Sequence, residues 1–93
     1  MSIREALQLK AVTVKTASGL EVMLRRPSTM DLLAALEQTK NKPDTFGAWL
    51  VHNHLIENGQ KVFYSVEDVL MCDVKLVDEI AVEIEKLYGE GKN

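Results

Sequence analysis

Residues 12–36 read VTVKTASGLEVMLRRPSTMDLLAAL, and this stretch decides the fold. Apolar and polar residues alternate on both sides of Ala17-Ser18-Gly19, which is the period of a half-buried strand. Gly19 can adopt the positive φ that a short hairpin loop needs. Ser28 stands three residues before Asp31, which is the spacing of a capping box at the start of a helix. The stretch therefore predicts a β-hairpin near 11–16 and 20–26, followed by a helix from about Ser28 to Thr39.

Two further helices are predicted in the middle of the chain. Asp44 is in place to cap a helix over about 45–57, and Asn58-Gly59 would end it. Ser65 repeats the capping pattern and predicts a short helix over about 66–72. Between these helices, an apolar triplet predicts a linker pinned to the core or a short strand. Four aromatic side chains are predicted to belong to the core: Phe46, Trp49, Phe63 and Tyr64.

The last predicted helix runs over about 74–88, with Asp73 as its cap and Gly89 as its stop. Its apolar residues form one stripe at helical spacing: Val77, Ile80, Ala81, Ile84, Leu87 and Tyr88. Leu76 and Val82 fall outside this stripe, which indicates a second contact surface on the same helix. We therefore expect self-association through Leu76 and Val82.

Together these elements predict one α+β domain over residues 1–93, mostly α-helical, with an N-terminal β-hairpin packed on three to four helices. Ser2 with Glu5 indicates a further short helix at about 3–8. We expect frayed ends at about 1–8 and 89–93, because terminal segments have few partners.

Composition restricts the class of function. The chain has 93 residues, 46% hydrophobic, and a net charge of −3, which argues against a general binder of nucleic-acid phosphates. No apolar run approaches the ~20 residues that span a bilayer, and the first ten residues lack the apolar block of a signal peptide. The single cysteine, Cys72, cannot form an internal disulfide. We therefore expect a cytoplasmic protein without a membrane segment.

The residue types that form catalytic, metal or phosphate sites in other proteins do not form a recognisable site in this sequence. His52 and His54 are two apart, which splays them by about 200° round a helix, so they cannot share a metal ion. We interpret them as two partly exposed helix histidines and Cys72 as a small buried side chain. The glycines show no phosphate-binding spacing. We therefore expect no metal, no cofactor and no enzymatic activity.

Arg25-Arg26 is a basic pair at the end of the second predicted strand. Two interpretations are open. The pair is a docking point for an acidic segment of a partner, or it protects an edge strand with charge. The first interpretation makes Arg25 and Arg26 the candidate partner-binding residues.

The order strand, Ser-Gly turn, strand, Arg-Arg-Pro-Ser, Asp-Leu and helix resembles the tail assembly chaperones of long-tailed bacteriophages and prophages. The matching residues are Thr16 to Gly19, Val22 to Pro27 and Ser28 to Leu33, and the likeness extends more loosely through the acidic C-terminal helices. The resemblance implies a small, non-enzymatic protein of the host cytoplasm that is not expected in the mature virion. It further implies that the protein binds the tape measure protein, keeps it soluble and helps to recruit tail tube subunits.

Members of that family also make a longer product by a programmed −1 ribosomal frameshift near the end of the shorter reading frame. Glu90-Gly91-Lys92 is compatible with a slippery codon run. The resemblance then implies that this chain is the short product and that the tail tube protein is contacted through the longer one. A chaperone of this kind works in many copies, so a homo-oligomer is expected.

A second hypothesis is a small cytoplasmic nucleic-acid-binding regulator of phage or bacterial origin, suggested by helices joined by short turns. The acidic balance of the chain and the lack of a helix with a basic recognition face count against it. A small enzyme is a third hypothesis, and the absence of clustered catalytic residue types counts against that one.

Overall fold

A computed structural model describes residues 2–8 and 10–90 of the chain. Over these residues the elements are, in order, α1 (Ile3–Ala6), β1 (Ala11–Lys15), β2 (Glu21–Arg25), α2 (Thr29–Asn41), a 3-10 turn (Pro43–Thr45), α3 (Phe46–His54), β3 (Leu55–Glu57), β4 (Gln60–Lys61), α4 (Val66–Leu70) and α5 (Val74–Glu90). The predicted class is confirmed: the fold is α+β, mostly helical, with an N-terminal β-hairpin. In the ranges described, no helix has the length and apolar character needed to cross a membrane.

The hairpin of β1 and β2 forms as the alternating pattern predicts. Gly19 has a φ of 90° in the connecting turn, and the backbone N–H of Thr16 donates to the carbonyl of Leu20 at 2.8 Å. Glu79 of α5 fixes this turn from outside, since its carboxylate accepts from the backbone N–H of Ser18 at 2.8 Å and from the Ser18 hydroxyl at 2.5 Å. These bonds from Ser18 lower the pKa of Glu79.

The sheet is larger than the hairpin alone. Its order is β1-β2-β3-β4, with every neighbouring pair antiparallel. The prediction that a helix covers 45–57 is wrong for residues 55–57. The backbone of Leu55 is already extended, at φ −73° and ψ 124°, and β3 pairs with β2. Asn58 and Gly59 both have positive φ, 54° and 79°, and form the two-residue turn between β3 and β4 rather than a helix stop.

Of the caps predicted for the first two long helices, Ser28 and Asp44, only Ser28 is confirmed. The Ser28 hydroxyl accepts from the backbone N–H of Asp31 at 3.0 Å, and the Asp31 carboxylate accepts from the backbone N–H of Ser28 at 2.8 Å, so the capping box of α2 is complete. Asp44 is not a cap: it lies in the 3-10 turn, and α3 begins at Phe46 without a side-chain capping bond. The turn after Pro43 takes the place of the cap.

The last two helices also begin as predicted. The hydroxyl of Ser65 accepts from the N–H of Asp68 at 3.2 Å, and the carboxylate of Asp73 accepts from the N–H of Leu76 at 3.1 Å. Gly89 does not stop α5, which continues to Glu90, because Gly89 does not adopt the left-handed conformation of a helix stop.

The core lies between the sheet and the helices α3, α4 and α5. The predicted stripe of α5 is confirmed, since its residues are buried or packed against the core. Phe46, Trp49 and Phe63 also pack there. Tyr64 does not: it is 84% exposed. Phe63 and Tyr64 follow each other in non-helical chain, where successive side chains point to opposite sides, so only one of them reaches the core.

Candidate functional site

Helix α2 is apolar but largely unburied. Within this helix, which is described throughout, only Ala35 is buried. Met30, Leu33 and Leu36 are 76%, 57% and 60% exposed. They recur every three residues and so follow one side of the helix. We call these three residues the α2 stripe. A contiguous apolar surface of this kind is typical of an interaction site.

A groove runs between α2 and the C-terminal half of α5, beside the α2 stripe. Leu32 and Tyr88 line both of its halves. One half, of about 240 Å³, is mainly apolar and is lined by Leu32, Ala35, Leu36, Thr39, Phe46, Glu85, Tyr88 and Gly89. The other half, of about 300 Å³, is lined by Arg26, Pro27, Ser28, Thr29, Leu32, Leu87, Tyr88 and Glu90. We call the whole feature the α2–α5 groove.

A bidentate ion pair holds the N-terminus of α2 against the sheet. Arg25 donates from Nη1 to Asp31 Oδ2 at 2.8 Å, from Nη2 to Asp31 Oδ1 at 3.4 Å, and from Nη2 to the carbonyl of Asn53 at 3.0 Å. Burial alone would raise the pKa of Asp31, but the hydrogen bonds and charge of Arg25 and the hydrogen bonds from Ser28 outweigh it, so the pKa is lowered. The Arg25 guanidinium is thus engaged within the chain, where it orients α2.

Arg26 lies differently. Its Nη1 is 3.2 Å from Oε2 of Glu90, and the two side chains are 46% and 59% exposed. An exposed pair of this kind contributes little stability, roughly 0–1 kcal/mol. Arg26 can therefore exchange Glu90 for a carboxylate of a partner at the end of the α2–α5 groove. The two arginines therefore have different surroundings. Arg26 lines the α2–α5 groove, whereas Arg25 is bound to Asp31.

A buried polar pair, absent from the sequence-based prediction, supports the floor of the groove. His54 is 0% exposed, which overturns its interpretation as a partly exposed residue. Its Nδ1 is 2.8 Å from the carbonyl of Arg25 and must donate to it, so Nε2 accepts from the Tyr88 hydroxyl at 2.6 Å. The two rings meet edge to face, with centroids 5.3 Å apart.

Burial sets the charge state of this pair. It lowers the pKa of His54 and raises the pKa of Tyr88 well above its ordinary value. A neutral imidazole therefore fixes the Tyr88 ring in the wall of the α2–α5 groove. The sequence did contain a signal for the burial: His54 follows Leu50 by four residues and Val51 by three, so it shares their inward face.

The other candidate residues for chemistry are dispersed. His52 is half-buried, with its Nδ1 3.2 Å from the carbonyl of Phe63. The interpretation of Cys72 as buried is wrong: it is exposed in the turn between α4 and α5, where its side chain contacts the carbonyl of Asp68 at 3.5 Å. Searching the described part of the chain finds no group of three or more His, Cys, Asp or Glu side chains that could hold a metal ion.

Leu76 and Val82 lie at the surface of α5, 39% and 48% exposed. Six residues on an α-helix correspond to about 120° round its axis, so the two side chains point in different directions. A single interface could place only one of them at its centre. Self-association through Leu76 and Val82 stays a prediction.

No protein-family model, no curated protein and no solved structure matches this chain. The groove combines a mainly apolar half, which also carries Glu85, with a more polar half that contains the charged pair Arg26 and Glu90. An apolar groove with a few polar groups suits an amphipathic helix or an apolar peptide segment.

Proposed function

We propose that this protein is a tail assembly chaperone of a long-tailed phage or prophage. In this proposal it binds the tape measure protein in the host cytoplasm, keeps it soluble and helps to recruit tail tube subunits. It leaves before the virion matures. The single observation that supports the proposal best is the α2 stripe beside the α2–α5 groove, a helix-sized apolar surface that the chain leaves uncovered. The choice of the tape measure protein as the partner rests on the resemblance of residues 16–33 to the tail assembly chaperones.

The size of the surface suits transient capture. Full burial of a large apolar side chain contributes about 1.5–3 kcal/mol, so the exposed fractions of the α2 stripe correspond to roughly 3–6 kcal/mol of gross stabilisation. Ordering and association costs reduce that figure further. One copy therefore binds weakly, and several copies along a long helical partner bind strongly by multivalency. This is the behaviour that reversible protection of a growing assembly requires.

Arg26 adds specificity in this proposal. Its place at the end of the groove favours a segment of the tape measure protein that carries a carboxylate next to its apolar face. Arg25 contributes indirectly, by fixing α2 through Asp31. Charge reversal at Arg26 should therefore weaken capture more at low salt than at high salt, because ions screen an exposed charge.

Recruitment of the tail tube protein is assigned to a longer frameshifted product that shares this domain. Gly91 and Lys92 of the proposed slippery run lie outside the described residues, as does the part of the predicted frayed end beyond Glu90. Sequencing the messenger for a slippery heptamer and detecting a longer product by mass spectrometry test this part by itself.

Co-expression tests the proposal. The tape measure protein is expressed with wild-type protein, with Leu33→Glu/Leu36→Glu, or with the control Leu20→Glu. Leu20 is 43% exposed and lies on the sheet side of the molecule. We expect the tape measure protein to be soluble and to co-purify with the wild type and the control but not with the α2 variant. Equal solubility without this protein would refute the proposal.

A further inference from the structure

The N-terminal segment presents apolar side chains that its own chain does not cover. Ile3 and Leu7 are 79% and 77% exposed, and α1 contains no buried residue. The helix itself is formed, with the Ser2 hydroxyl accepting from the backbone N–H of Glu5 at 3.1 Å. Residues four apart share one face, so Ile3 and Leu7 lie together, with Arg4 beside them and Glu5 on the far side. We call residues 2–8 the N-terminal arm.

A second groove, separate from the α2–α5 groove, opens where α4 meets α5. It encloses about 190 Å³ and is lined by Asp44, Gly47, Ala48, Val69, Leu70, Cys72, Val74, Val77 and Asp78. Leu70 and Val74 are 54% and 73% exposed, and the adjoining Met71 is 88% exposed. Two of the lining residues, Asp44 and Asp78, are acidic and none is basic. We call it the α4–α5 groove.

The arm and this groove lie against different parts of the fold. The carbonyl of Lys10 accepts from the N–H of Arg26 at 3.1 Å, and Arg26 pairs with Glu90, so the arm leaves the fold near the C-terminal end of α5. Val74, in the α4–α5 groove, begins that helix. Sixteen residue steps of α-helix separate these ends by about 24 Å.

The arm does not occupy the groove of its own chain, because Ile3 and Leu7 are 79% and 77% exposed. A second copy, in contrast, can bring its groove to the arm without any rearrangement of the fold.

We propose that the N-terminal arm of one copy docks in the α4–α5 groove of a second copy. Ile3 and Leu7 enter the apolar cleft, and Arg4 approaches the carboxylates of Asp44 and Asp78. The charges are complementary, because the arm presents a cation beside its apolar face and the groove has an acidic rim. Since the two contacting surfaces differ, the contact is heterologous and repeats from copy to copy, giving a ring or an open chain.

Two variants, each of which disrupts one of the two contacting surfaces, test this arrangement by analytical ultracentrifugation. Ile3→Glu/Leu7→Glu removes the arm contact, and Leu70→Glu/Val74→Glu removes the groove contact. All four side chains are exposed, so both variants should fold, which circular dichroism checks. We expect the wild type to sediment as species larger than a dimer at high concentration and each variant to be monomeric. Mixed together, the two variants should form a one-to-one dimer and nothing larger, because only one intact arm and one intact groove meet. A mixture that stays monomeric, or a wild type that is monomeric, overturns the proposal.

Two further variants sharpen the result. Leu76→Glu/Val82→Glu leaves the arm and the groove intact, so assembly should persist; assembly that requires Leu76 and Val82 but not the arm overturns the proposal. Arg4→Glu should weaken self-association roughly tenfold at low salt, and Asp78→Arg in the partner copy should restore much of it. The proposal is independent of the proposed function, because Leu33→Glu/Leu36→Glu, which should lose the tape measure protein, should still assemble.

Discussion

Replacing Tyr88 by phenylalanine should destabilise the protein by removing one hydrogen bond. The phenyl ring keeps the edge-to-face contact with His54, while the buried Nε2 of His54 loses the donor that now lies at 2.6 Å. An unsatisfied buried acceptor costs about 1–3 kcal/mol. At the middle of that range, a domain of this size should lose about 8–16 °C in Tm. Urea unfolding followed by circular dichroism measures the free energy directly.

The same pair predicts how stability depends on pH. Burial lowers the folded-state pKa of His54 below its ordinary value of 6.5, so the unfolded chain binds more protons below that pH. The contribution of His54 to stability is therefore complete above pH 6.5 and is lost as the pH falls toward the folded-state pKa. One group gives a slope of at most about 1.4 kcal/mol per pH unit.

The matched control is His54→Asn, whose amide can still donate to the carbonyl of Arg25 but does not titrate. Unfolding free energies measured at pH 8, 7, 6 and 5 should fall more steeply in the wild type than in this variant below about pH 6.5. An identical slope in both proteins would refute the assignment of the pH dependence to His54. A loss below about 0.5 kcal/mol in Tyr88→Phe would refute the hydrogen bond itself.

Three further predictions follow from other contacts. Asp31→Ala should lower the unfolding free energy by about 1–3 kcal/mol, because it removes the capping box of α2 and the partner of Arg25. Since the pKa of Asp31 is lowered, its contribution to stability should be present above pH 3.8 and lost as the pH falls through the folded-state pKa. Acid titration of wild type and variant measures this loss. Glu79→Ala should accelerate amide hydrogen exchange at Ser18, whose N–H now donates to the Glu79 carboxylate, and unchanged exchange would contradict the anchoring of the hairpin turn. Elemental analysis of purified protein should find less than one metal ion per chain, and Cys72→Ser should leave capture of the tape measure protein intact; zinc that survives chelation would overturn this.

Local signals were enough to predict the parts of the fold that local contacts form. The hairpin around Gly19 and the caps at Ser28, Ser65 and Asp73 each depend on residues within a few positions, and each is found. The apolar spacing of the preceding turns continues into residues 55–57 and so predicts a helix there. Their strand conformation depends on pairing with β2, which no local pattern contains, although Asn-Gly is itself a strong hairpin signal.

The candidate site could be predicted only in part. The apolar content of α2 is evident in the sequence, but which of its faces stays uncovered depends on how α5 packs beside it. The bond between His54 and Tyr88 joins residues 34 positions apart and was not predictable from spacing. The different roles of Arg25 and Arg26 likewise depend on long-range packing. Arg25 pairs with Asp31 in the first turn of α2, and Arg26 pairs with Glu90 in the last turn of α5.

Hydrogen–deuterium exchange on the complex with the tape measure protein tests the central claim most directly. We expect binding to slow amide exchange in α2 and in the last turns of α5, around residues 85–90, because these segments line the α2–α5 groove. Exchange in the hairpin, residues 11–25, should be unchanged and serves as the internal reference. Protection confined to the hairpin or to α4, or no protection in any segment of a purified complex, would contradict the account.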